Sequence, residues 1–113
     1  MLDGFKKNPV DERSSPRRPI RCKVKITGPT GQTIHGESFD LSTGGIGVVL
    51  DIQLALGAVC TVMFAPFTHG SVKSVNVTAS VAYCMLNSAG FRTGFQFINI
   101  PAATTAIIAS IIG

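Results

Sequence analysis

The sequence has no tryptophan, one tyrosine and three cysteines among its 113 residues. Few aromatic rings are therefore available for base stacking, and most of the seven phenylalanines occupy core-like positions. The cysteines, Cys22, Cys60 and Cys84, are odd in number, widely spaced and without a Cys-x-x-Cys pair. This spacing predicts neither a disulfide framework nor a zinc site, and is typical of reduced cysteines in a cytosolic protein.

Long apolar runs are also missing. The longest stretches, at 54–67 and 102–112, fall short of the roughly 20 residues that a membrane-spanning helix needs. The N-terminal residues are not followed by an apolar run of signal-peptide length. We therefore expect a cytoplasmic protein without membrane insertion.

Signatures of catalysis are absent from the sequence. His35 and His69 have no nucleophile or carboxylate partner in motif context, no metal-ligand spacing occurs, and there is no phosphate-binding loop. We expect the protein not to be an enzyme and to need no metal or cofactor.

Positive charge is abundant at one end of the chain. Of the ten basic residues, eight precede residue 26, and the net charge is +4. This asymmetry favours a phosphate-bearing partner, although a solvated tail that aids solubility gives the same pattern. The length suits one domain, and we expect a flexible basic arm over residues 1–12 and a folded domain over 13–113. The eight residues are Lys6, Lys7, Arg13, Arg17, Arg18, Arg21, Lys23 and Lys25.

Hydrophobic periodicity predicts an all-β domain with a short C-terminal α-helix. Alternation is strict from Ile20 to Ile26, and strands are predicted at 20–26, 32–39, 46–50, 58–64, 72–83 and 91–98. Short, regularly punctuated strands of this kind favour a six-stranded antiparallel barrel. In the tail, Asn99 is a candidate N-cap, and the isoleucines at 107, 108, 111 and 112 form one helical stripe.

Two segments together predict a pocket for an anion with hydrogen-bonding edges. Residues 13–18 supply the guanidinium groups of Arg13, Arg17 and Arg18, which bind phosphate bidentately. Residues 40–45 supply Asp40 as an acceptor, Ser42 as donor or acceptor, and Gly44 and Gly45 where a ligand can approach the backbone. An Asx turn or strand-end cap without a ligand is the structural alternative for Asp40 and Ser42.

These motifs resemble the PilZ domain family over nearly the whole chain. The resemblance rests on the arginines before the first strand, on Asp-x-Ser-x-x-Gly at Asp40, Ser42 and Gly45, and on the segment 94–97 in the last strand. It implies a six-stranded barrel that binds the bacterial second messenger cyclic di-GMP. The family motif Arg-Arg-x-x-Arg is matched best by Arg13 and Arg17, with Ser14 in place of the second arginine and Arg18 as a possible substitute.

The resemblance also implies roles for these residues. The arginines hold phosphate or pair with guanine O6 and N7, and Asp40 accepts from guanine N1–H and N2–H, a contact that adenine cannot reproduce. Tyr83 is either a stacking ring or a half-buried barrel residue. The expected function is that of a non-enzymatic receptor that signals through an unidentified effector protein. A ligand-free docking module and a single-stranded nucleic-acid-binding barrel remain the alternatives, the latter using Arg21, Lys23 and Lys25.

Overall fold

The computed structural model describes residues 16–113, so the predicted arm and Arg13 lie outside the described residues. The fold within this range consists of short strands followed by one helix. The strands are β1 (Lys23–Thr27), β2 (Thr33–Leu41), β3 (Gly45–Leu50), β4 (Val59–Phe64), β5 (Phe67–Thr68), β6 (Ser71–Val72), β7 (Val75–Asn87) and β8 (Gly90–Phe97), and the helix is α1 (Ala102–Ile112).

Six of these strands close into an antiparallel barrel in the order β1-β2-β3-β8-β7-β4. Side chains alternate between its interior and its outer surface, as pleated strands require. In β1, Val24 and Ile26 are buried, whereas Lys23 and Lys25 are exposed. The predicted all-β class and the six-stranded barrel are therefore confirmed.

Helix α1 packs against β7 through Ile108 and Ile111, which are buried. The predicted cap at Asn99 is wrong. Asn99 has a left-handed backbone (φ 49°), and the N-cap is Pro101, whose extended backbone (ψ 148°) leads into the helix without a side-chain cap. No helix in residues 16–113 is long and apolar enough to cross a membrane.

A small hairpin, β5 and β6, was not predicted. The backbone N–H of Lys73 donates to the carbonyl of Pro66 at 3.1 Å and closes its base. Phe67 and Val72 are directly paired across the two strands, and their side chains are 74% and 63% exposed. Two-residue strands have no measurable period, and the sequence therefore indicated only a turn here.

Ser38 ties the segment before β1 to the barrel. Its side chain is buried, and its hydroxyl donates to the carbonyl of Ile20 and accepts from the backbone N–H of Cys22 at 3.0 Å. Ser38→Ala leaves both groups unpaired, so we expect the free energy of unfolding in urea to fall by about 1–3 kcal/mol. Ser88→Ala, in the exposed β7–β8 turn, is the control and should change it by less than about 0.5 kcal/mol.

Candidate functional site

Two β-bulges orient the candidate site outward. In β2, Ser38 pairs with Val48 but Asp40 pairs with the adjacent Gly47, so Phe39 is an extra residue. In β7, Val81 pairs with Phe95 and Tyr83 with the adjacent Gly94, so Ala82 is the extra residue. A bulge reverses the inside–outside alternation of the strand. Asp40 and Tyr83 consequently lie on the outer surface although simple alternation would place both inside.

The two bulges frame a row across four strands: Asp40, Gly47, Gly94 and Tyr83. Both glycines are needed for close approach. A Cβ atom on Gly94 would lie 2.2 Å from the Tyr83 ring, and one on Gly47 would lie 2.3 Å from the Phe39 ring. The rings of Phe39 and Tyr83 therefore rest directly on the sheet over Gly47 and Gly94, next to Asp40.

Arg17 completes this surface from the segment before β1. Its guanidinium nitrogen lies 3.1 Å from the Asp40 carboxylate, and the two side chains are 40% and 23% exposed. Arg18 fixes the position of the segment, because its backbone N–H and carbonyl both bond to Leu41 at 2.9 Å. A half-exposed ion pair contributes at most about 1 kcal/mol to stability, and both partners can exchange it for a ligand at little cost.

Ser42, Gly44 and Gly45 form the turn that follows Asp40. Ser42 is buried, and its hydroxyl accepts from the backbone N–H groups of Gly44 at 3.1 Å and Gly45 at 3.2 Å. Gly44 is exposed and its carbonyl accepts from the Phe97 N–H, whereas Gly45 is buried and pairs with Gln96. Ser42 thus has the capping geometry that the structural alternative describes, and it holds the turn that follows Asp40.

Arg92 is a site residue that sequence reasoning missed. Its guanidinium carbon lies 3.8 Å from the centre of the Phe39 ring, a cation–π contact. It also lies close enough to Tyr83 to influence the phenol. Its position in the sequence could have identified it. Arg92 precedes Gly94 by two residues, so both lie on the outer face of β8.

Tyr83 titrates in this cluster and offers a spectroscopic test. Burial, and then the negative charge of Asp40, raise the pKa of its phenol above 10.0, while Arg17 and Arg92 act in the opposite direction. We expect the phenolate absorbance of this single tyrosine to appear at higher pH in the folded protein than in denaturant. A raised pKa favours the neutral folded form, so this stabilisation is complete below pH 10 and is lost as pH rises through the folded pKa. A folded midpoint at or below the denatured one would contradict the assignment.

The surplus of positive charge lies in residues 16–113 rather than in the predicted N-terminal arm, and it includes Arg17, Arg18 and Arg21 just before β1. Residues 16–113 contain seven basic and three acidic residues, a surplus of four that equals the net charge of the whole chain. Residues 1–15 are balanced, so the predicted arm is not basic in net charge. Arg21 contacts Glu37 at 3.8 Å, away from Asp40.

Comparisons with known proteins agree with this architecture. The model of the family described as PilZ domain matches residues 11–113. A search among curated proteins finds no match. Among solved structures, the Bacillus subtilis inhibitor of motility MotI/DgrA superposes with a TM-score of 0.79 at 18% identity over 91% of this chain, which spans 50% of that protein.

Two further structures are isolated PilZ domains. The PilZ domain of YcgR from Escherichia coli, solved with cyclic di-GMP, has a TM-score of 0.68 at 17% identity and covers 90% of this chain and 89% of that one. The PilZ domain of CeSA from a cellulose-synthesizing bacterium has a TM-score of 0.61 at 18% identity over 87% and 95% of the two chains. Since the family model matches nearly the whole sequence and the barrel agrees, the chain belongs to the PilZ domain family.

Proposed function

We propose that the protein is a receptor for cyclic di-GMP. The observation that carries this proposal is the ion pair of Arg17 and Asp40, which lies beside the rings of Phe39 and Tyr83. One side chain is a bidentate donor for phosphate or a guanine Hoogsteen edge, and the other accepts from guanine N1–H and N2–H. Such a site suits a ligand that carries both phosphate and guanine.

Arg92 is proposed to replace the charge that Ser14 lacks. Its guanidinium is held on the Phe39 ring next to Tyr83, so it is positioned before a ligand arrives. Arg13 and Arg18 remain proposed phosphate contacts. Gly44 and Gly45 are proposed to allow the ligand close to the turn that Ser42 holds.

The receptor is proposed to be non-enzymatic and to act through a partner protein in the cytoplasm. The stretch of Arg17 and Arg18 is joined to β2 by one ion pair and two backbone hydrogen bonds, while Ser38 fixes the residues that follow this stretch. When a ligand replaces the ion pair, this stretch can shift and alter the surface that a partner recognises. The three free cysteines are consistent with a reducing compartment.

Calorimetry with two cyclic dinucleotides tests the proposal. We expect cyclic di-GMP to bind in the micromolar range and cyclic di-AMP to bind at least about 100-fold more weakly, because adenine N1 presents an acceptor to the Asp40 carboxylate. Equal affinity for the two cyclic dinucleotides would show that Asp40 does not recognise the base. Absence of heat with cyclic di-GMP at saturating concentration would contradict the receptor function and favour the ligand-free docking module.

A further inference from the structure

A second concave surface lies on the outer faces of β1, β2, β4 and β7. We call it the lysine groove, and it encloses about 770 Å³. Four strands contribute to it through directly paired positions: His35, Lys25, Met63 and Asn76 form one continuous row. None of these residues belongs to the site around Asp40.

The lysine groove has a surplus of positive charge. Lys23 and Lys25 are exposed, and the groove's one acidic residue, Glu37, pairs with Arg21. Three cations therefore share one carboxylate on this surface. The charge is complementary to an anionic partner, and the screening of exposed charges makes such binding sensitive to salt.

The exposed apolar pair of the β5–β6 hairpin lies next to this charge. Ala65 and Ser74, which line the groove, flank the segment that forms the hairpin. Phe67 and Val72 lie on the same face of it and are largely exposed. The protein thus presents a small exposed apolar pair, Phe67 and Val72, beside a basic concave surface.

We propose that the lysine groove and the apolar pair of the β5–β6 hairpin bind the surface of an anionic lipid bilayer. The lysines and His35 would contact lipid phosphates, while Phe67 and Val72 enter the boundary between headgroups and acyl chains. A single-stranded nucleic acid fits less well, because successive bases stack on several exposed rings, whereas this surface offers Phe67 alone and Phe64 is 4% exposed. A protein partner fits less well, because the cores of protein interfaces are depleted of lysine, whereas Lys23 and Lys25 line this groove. This inference does not depend on cyclic di-GMP binding.

Sedimentation with vesicles tests the charge. The probe is a vesicle of equal parts phosphatidylcholine and phosphatidylglycerol, with pure phosphatidylcholine as the uncharged comparison. We expect binding only to the anionic vesicles, weakening as salt is added. Lys23→Gln and Lys25→Gln should each lower the partition coefficient about fivefold. Arg17→Ala, which removes one charge from the other site, should change it less than about twofold.

Fluorescence tests the apolar pair of the hairpin. Because the chain has no tryptophan, Phe67→Trp introduces a single reporter. Its emission should shift to shorter wavelength with anionic vesicles. Leu86→Trp is the matched control, since Leu86 is 71% exposed at the opposite end of β7 from the groove, and its emission should not move. The double variant Phe67→Ser/Val72→Ser should sediment about tenfold less.

Several results would overturn the proposal. One is that wild type does not sediment with anionic vesicles at all. Another is that wild type and the Phe67→Ser/Val72→Ser variant sediment equally. Binding to single-stranded DNA that requires Lys23 and Lys25 without vesicle binding would assign the groove to nucleic acid. If the protein forms a dimer that dissociates in the Phe67→Ser/Val72→Ser variant, the apolar pair binds a second copy of this chain instead. Circular dichroism confirms folding of each variant, and calorimetry with cyclic di-GMP reports the Asp40 site separately.

Discussion

Asp40→Ala is expected to weaken cyclic di-GMP binding by about 100-fold, with little change in stability. The carboxylate is the acceptor at the proposed guanine edge, and loss of such a bidentate contact costs about 1–3 kcal/mol. Removal of Asp40 also leaves Arg17 without the partner that positions it at 3.1 Å. Asp40→Asn should retain part of the affinity, because its amide keeps one acceptor but adds a donor facing the guanine donors.

Calorimetric titration of wild type, Asp40→Ala and Asp51→Ala measures this effect. Asp51 is an exposed carboxylate directly after β3, so its removal makes the same charge change away from the site. We expect Asp51→Ala to bind like wild type. The free energy of unfolding of Asp40→Ala should change by no more than about 1 kcal/mol, since the ion pair is half-exposed. Undiminished binding by Asp40→Ala would remove this residue from the site.

Gly45→Ala is expected to lower the free energy of unfolding by about 3 kcal/mol, the largest stability effect that we predict for a single methyl group. A Cβ atom at this position would lie 2.3 Å from the backbone carbonyl oxygen of Phe95. That carbonyl belongs to β8, which pairs with β3 in the barrel wall, so relief requires the two strands to separate. The loss should appear in urea unfolding and in a melting temperature lower by about 10–20 °C.

Gly57→Ala is the matched control for this substitution. Gly57 has a left-handed backbone (φ 80°) but nothing within 4 Å of the added Cβ, so only its conformation is penalised, by about 1 kcal/mol. Gly45 does not have a positive φ, so the cost of Gly45→Ala is steric. Equal destabilisation by the two variants would show that β3 and β8 accommodate the methyl group.

The barrel was predictable because its strands carry a period of two that is strong enough to count. Val24 and Ile26 in β1, and Val75 through Val81 in β7, alternate in the sequence as they do in the structure. The cap of α1 was not predictable from residue preference. Asn99 is a favoured N-cap type, but its left-handed backbone places it before the helix and leaves that position to Pro101.

The candidate site was predictable in part. The sequence motifs identified Arg17 and Asp40, and the structure brings them into contact over 23 residues of separation. The contact of Arg92 with Phe39 and the outward orientation of Tyr83 depend on the positions at which Phe39 and Ala82 bulge out of their strands. The extra residue Ala82 leaves the alternation from Val75 to Val81 unchanged, so continuing that alternation placed Tyr83 with the interior residues.

Closure of the barrel limits how other chains can associate with this one. Each of the six barrel strands has a strand neighbour on both sides, but β7 pairs with β4 over Val75–Ser80 and beyond Val81 has β8 alone as its partner. A partner cannot add a strand where both sides of a strand are paired, so strand addition, a common route to peptide capture and to aggregation, is left mainly to the far end of β7. Recognition of the rest of the barrel uses side chains and loops, and substitutions on its outer surface can alter partner choice without disturbing the backbone hydrogen bonds beneath.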